Sequence, residues 1–89
     1  MTENEETLLE FPCEFMIKAM GRAEADFDAL IVSLVRRHAP ELGEAAVSTR
    51  ASKGGKYLSV SVTVRVESKA QLDAIYRELT GCDKVLWAL

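Results

Sequence analysis

Several kinds of residue that carry chemistry are scarce in this 89-residue chain, and each scarcity removes a class of function. There is one histidine, His38, so the usual zinc ligand sets cannot be assembled, and neither a metal nor a cofactor is expected. The two cysteines, Cys13 and Cys82, form no C-x-x-C pair, and free thiols that pack as small hydrophobes are expected of them. No apolar run approaches the roughly 20 residues that a membrane-crossing helix needs. The first residues, Met1 to Glu6, are acidic and polar, unlike a secretory or mitochondrial leader, so the expected location is cytoplasmic.

What is present fits one small globular unit. Apolar residues make up 48% and charged residues 28% of the chain, too apolar for disorder. A chain this short supports a single core. Residues 1–10 read as a flexible acidic lead-in and residues 11–89 as the domain. The net charge of −3 hides an asymmetry. Acids dominate through residue 44 and bases dominate after it. Arg50, Lys53, Lys56, Arg65 and Lys69 are opposed locally only by Glu67, a patch that could attract an anion.

Periodicity places the elements. From Cys13 to Gly21 the residues alternate, with Cys13, Phe15, Ile17 and Ala19 on one face and Met16, Lys18 and Met20 on the other, so a strand is expected. Phe27, Leu30, Ile31, Leu34, Val35 and His38 then form the apolar stripe of a helix closed by Pro40. A weaker strand spans Ala46 to Ser52, and the turn Lys53-Gly54-Gly55-Lys56 leads into a strand that turns Leu58, Val60, Val62, Val64 and Val66 inward. Ser68 and Gln71 have capping-box spacing, and the helix they open carries Leu72, Ile75, Tyr76 and Leu79 before a left-handed stop expected at Gly81. A last strand, Lys84 to Leu89, is expected to point Val85, Trp87 and Leu89 into the core.

The order β-α-β-β-α-β calls for an α+β fold. The expectation is a two-layer ferredoxin-like sandwich with a four-stranded antiparallel sheet in order 4-1-3-2 and both helices on one face. That topology would gather Arg22, Arg50, Lys53, Lys56 and Lys84 near the first helix's N-terminus, where Glu24, Asp26 and Asp28 oppose them. It would also leave Met16, Lys18, Met20, Ser59, Ser61, Thr63, Arg65 and Leu86 on an open sheet face, a plausible docking surface.

The segments Phe11 to Gly21, Arg37-His-Ala-Pro40 and Ser52 to Tyr57 followed by Ser59-Val-Ser61 resemble the YbeD family of small bacterial proteins. The likeness covers roughly residues 8 to 89. It implies a ferredoxin-like fold similar to ACT domains, the metabolite-sensing modules of amino-acid biosynthesis, and it implies no catalytic residues. The family commonly has one glycine at the turn where this chain has Gly54 and Gly55. An ACT-like ligand site would fall on Gly21 and Arg22.

Among functions, an enzyme is not expected, because no activated nucleophile or positioned acid–base pair is visible. An acylphosphatase-like enzyme, which shares the topology, would need an arginine in the first loop and an asparagine on a strand. Arg22 could supply the first, but the only asparagine is Asn4. RNA binding is disfavoured because the open face shows no stacking aromatic except Tyr57 at its edge, and the pI is about 5.1. The reading is therefore a regulatory or binding module, foremost a protein–protein adaptor and alternatively an ACT-like sensor of an amino acid or anion. The candidate surface is Gly21, Arg22, Ser52, Lys53, Gly54, Tyr57 and Ser59, together with Met16, Lys18, Met20, Ser61 and Thr63. The partner is an unknown protein or small metabolite rather than nucleic acid or membrane, and a homodimer formed through the open face or an edge strand is left open.

Overall fold

The alternation of apolar and polar residues after Pro12 produces a long strand, β1 (Cys13–Arg22), in the computed structural model, which describes residues 10–89. It is followed by α1 (Phe27–Arg36), β2 (Val47–Ala51), β3 (Tyr57–Val66), α2 (Lys69–Thr80) and β4 (Val85–Ala88). A short 3₁₀ turn, Glu44–Ala46, precedes β2. The strands form one sheet in the order β2-β3-β1-β4, every pairing antiparallel, which is the expected ferredoxin-like arrangement. The acidic lead-in foreseen over residues 1–10 lies, but for Glu10, outside the described residues.

The core is one layer of apolar side chains between sheet and helices. Ile17 and Ala19 from β1 and Val60, Val62, Val64 and Val66 from β3 meet Phe27, Ile31, Leu34 and Val35 of α1 and Leu72, Ile75 and Leu79 of α2. The two central strands contribute alternate residues, and each helix contributes one stripe, because the two periodicities of 2 and 3.6 can both present a single apolar face.

Three local details differ from expectation. His38 lies beyond the end of α1, in the turn that follows it, with its backbone N–H bonded to the Val35 carbonyl at 3.0 Å. Gly81 ends α2 at φ −82° rather than in the left-handed region, and a Cβ there would stand 3.1 Å from the Arg77 carbonyl oxygen. The Ser68 hydroxyl does accept from the Gln71 N–H at 3.2 Å, but the Gln71 side-chain oxygen accepts from the Glu67 N–H, at 2.6 Å, rather than from Ser68. The Gln71 amide nitrogen donates to the His38 carbonyl at 2.7 Å, tying the start of α2 to the turn after α1.

The largest departure is in β4. Gly21 pairs with Val85, and the next residue back along β1, Met20, pairs with Trp87, so one step on β1 spans two on β4. Leu86 is the extra residue of a β-bulge. The bulge reverses the expected alternation. Val85 is buried, but Trp87 and Leu89 are 40% and 69% exposed instead of entering the core. Ala88, opposite Ala19, takes the inward position.

Candidate functional site

The register of the sheet assigns the face that the helices do not cover, apart from Leu86, which the bulge leaves unpaired at the cleft beside Arg22 and Phe27. Met16, Lys18, Met20 and Arg22 stand in a row on β1, and opposite them on β3 are Thr63, Ser61, Ser59 and Tyr57. Beyond β3, Ser48 pairs with Ser61 and Arg50 with Ser59. On the other flank Trp87 lies beside Met20. Leu89 lies beside Lys18, joined to it by reciprocal backbone hydrogen bonds of 2.9 and 2.8 Å. Glu14 and Arg65 pair at the far end of the face.

The face therefore has two halves. Along β1 and β4, Met16, Met20, Trp87 and Leu89 form an apolar group around Lys18, with Met16 61% exposed. Along β3 and β2 lie small hydroxyls, Ser48, Ser59, Ser61 and Thr63, flanked by Arg50. Met16, Lys18, Met20, Ser59, Ser61 and Thr63 occupy the positions that alternation predicts. Trp87 and Leu89 were missed. Alternation alone sends them inward, and the sequence signal that redirects them is an insertion in strand pairing, which no period reveals.

The hairpin residues divide between architecture and exposure. The Ser52 hydroxyl accepts the Tyr57 N–H at 3.0 Å, and its backbone carbonyl accepts the Gly55 N–H at 2.8 Å. Gly54 and Gly55 sit at φ 91° and 73°, a left-handed pair that side chains would strain. Lys53 and Lys56 are exposed at the tip, and the Lys56 ammonium lies 5.9 Å from the centre of the Tyr57 ring, within cation–π reach.

Gly21 lies within a strand rather than in a strand-to-helix loop. It does not end β1 but continues it, buried, with the Phe27 ring and the Lys84 carbonyl filling the space a side chain would take. Of the basic corner expected beside it, only Lys84 is neutralised by an ion pair among the described residues. Lys84 donates to Glu24 at 2.7 Å, and that carboxylate raises the lysine's pKa above its ordinary value. The Ala29 N–H at the start of α1 is taken by the Asp28 carboxylate at 2.9 Å. The adjoining cleft, about 290 Å³, is lined by Arg22 and Lys84 but also by Glu24 and Asp83. A larger groove of about 820 Å³ runs between α1 and the edge strand β2, lined by Asp28, Val32, Ser33, Arg36, Val47 and Thr49 among others.

Cys13 and Cys82 are both free and half-buried. Among the described residues no cluster of potential metal ligands occurs, and no helix is long and apolar enough to cross a membrane.

The family model described as "Protein of unknown function (DUF493)" matches residues 6–89. The chain belongs to this family. A UPF0250 protein of Paraburkholderia phytofirmans is 48% identical over 81 residues, covering 91% of each chain. A UPF0250 protein of Neisseria gonorrhoeae is 42% identical over 83 residues, covering 93% of this chain and 91% of the relative. The solution structure of HP0495 from H. pylori superposes with a TM-score of 0.69 at 18% identity, over 91% of this chain and 85% of that one. The DUF493 membership agrees with the YbeD resemblance read from the sequence. The structural likeness supports the fold.

Proposed function

We propose that this DUF493 chain is a non-catalytic adaptor that docks a protein partner on its open sheet face. The observation that carries the reading is the placement of Trp87. A bulge that turns the chain's only tryptophan away from the core sets it beside Met20, with Leu89 next to Lys18. Apolar groups exposed together in this way are the usual material of an interface, and tryptophan is enriched at binding hot spots. The flexible methionines suit an adaptable contact. The test is capture from bacterial lysate with wild type, Met16→Asp and Trp87→Ala. A protein retained by wild type and lost with both variants, whose circular dichroism stays native, is the expected result. Retention that survives both changes would sink the choice of surface.

A second reading, sensing of a small metabolite, draws support from the groove between α1 and β2. Its mixture of Asp28, Arg36, Val32 and Val47 offers both charges and apolar surface to an amino-acid-sized ligand. The expected signature is a melting temperature that climbs with the logarithm of ligand concentration across an amino-acid panel and that Val32→Asp abolishes.

A further inference from the structure

We propose that the partner meets the open face with an acidic polypeptide segment carrying an apolar anchor, an inference that rests on the docking reading above. The cations are unevenly used. In the helical layer and its loops Arg37, Lys69 and Lys84 each hold an acid, Glu78 at 3.0 Å, Asp73 at 3.1 Å and Glu24 at 2.7 Å, whereas Arg36 donates to the Leu42 carbonyl and Arg77 forms no ion pair among the described residues. On the sheet side Lys18, Arg22 and Arg50, with Lys53 and Lys56 at the bordering hairpin, form no ion pair among the described residues. Arg65 alone is paired, with Glu67 at 3.2 Å.

The acids follow the opposite distribution. Among the described residues the one acid on the strands' open face is Glu14, at the end away from the hairpin, with Glu67 just beyond β3 holding Arg65. Glu24, Asp26, Asp28, Glu41, Glu44, Asp73, Glu78 and Asp83 belong to the helices and the loops around them. A chain with net charge −3 thus presents a positive sheet face, which steers and orients an acidic surface.

The row on β1 adds spacing. Met16, Lys18, Met20 and Arg22 alternate apolar and basic side chains about 6.7 Å apart. A strand repeats same-side residues at about that interval, and a helix repeats i and i+4 at about 6 Å. Either can set an acid on Lys18 or Arg22 and an apolar residue among Met16, Met20, Trp87 and Leu89.

Nucleic acid fits less well. Methionines interrupt the row of cations, and the two aromatics are separated. Trp87 is on the edge strand β4, and Tyr57 is engaged by Lys56. Trp87 faces outward where alternation leaves only Tyr57 as an aromatic at the edge of the face, so nucleic acid is an arm of the test.

Trp87, the sole tryptophan, reports on this face directly. Full-length protein is titrated with three probes while its fluorescence is followed. They are a short peptide of glutamates around a central leucine pair, the same peptide with lysines for glutamates, and an oligothymidine of equal length. The expected result is saturable binding of the glutamate peptide, preferred about tenfold over the lysine peptide and weakened by salt. Lys18→Glu/Arg22→Glu should invert that preference. Equal binding of both peptides, tighter binding of oligothymidine, or indifference to the charge inversion would overturn the proposal.

A signal that responds to Glu3/Glu5/Glu6→Gln but not to the peptide would make the chain's own first residues the occupant, and a separate partner would be ruled out. If the glutamate peptide gives no saturable change, the acidic-partner assignment fails. The docking reading is then decided separately by the Met16→Asp and Trp87→Ala captures.

Discussion

At the scale of single residues, the tightest constraint is at Gly21, where a Cβ would press on the Phe27 ring and the Lys84 carbonyl together. Gly21→Ala is therefore expected to destabilise the fold by about 2 kcal/mol. The change would appear as a lower urea midpoint at unchanged slope. From sequence alone it suggests a strand stop and a ligand-loop candidate, because a glycine at the end of an alternating run carries no mark that distinguishes a turn from a close approach.

His38 presents the opposite case, since its Nε2 is buried with no hydrogen-bond partner among the described atoms. An unpaired buried polar atom costs about 1–3 kcal/mol. His38→Leu should accordingly raise the thermal midpoint rather than lower it. Gln71 is the residue whose chemistry is most fully used, accepting from Glu67 and donating to the His38 carbonyl. Glutamate is the common capping-box alternative, yet Gln71→Glu would replace that donor with a negative oxygen. A loss of about 1–2 kcal/mol is expected, again by urea denaturation.

The elements were legible wherever a period controls them. The face assignments of β1 and β3 and the stripes of α1 and α2 follow from spacing, because burial on one side selects one residue in two or three to four in seven. The short edge strand β2 was placed within a residue at each end, for its neighbours, Gly43 and the Gly54-Gly55 hairpin, bound it.

Only β4 defied its pattern, and the reason is geometric. A strand of this length lets one extra residue, Leu86, invert which side chains face inward. Two substitutions separate the pattern from the bulge. If alternation governed β4, Trp87→Ala would empty part of the core and cost about 3–5 kcal/mol. With the bulge, Trp87→Ala is expected to cost under about 1 kcal/mol. Val85→Ala should cost clearly more, because Val85 is 9% exposed and belongs to the buried core. Paired urea titrations decide between them.

Over the whole molecule, alkaline pH is expected to weaken the fold. Burial raises the Tyr76 hydroxyl above its ordinary value of 10.0. The hydrogen bond and charge of Glu24 raise Lys84 above 10.5. In both cases the native state keeps a proton that the unfolded chain releases. The stabilisation is thus complete below the ordinary values and is lost as pH climbs through the raised ones. Thermal midpoints taken across that range should fall, and Tyr76→Phe should flatten the decline. Lys84→Gln should have a smaller effect, since its bridge to Glu24 stands at the surface.

The division of the sheet has a wider consequence. Side chains of β1 and β3 that point toward the helices hold the core, while those that point away are exposed or half-buried. If the outward face is the docking surface proposed above, folding and recognition draw on alternate letters of the same strands. Substitutions at the outward letters would then alter docking at little cost to the core. A sheet covered on one side only is, in this sense, a ready substrate for divergence.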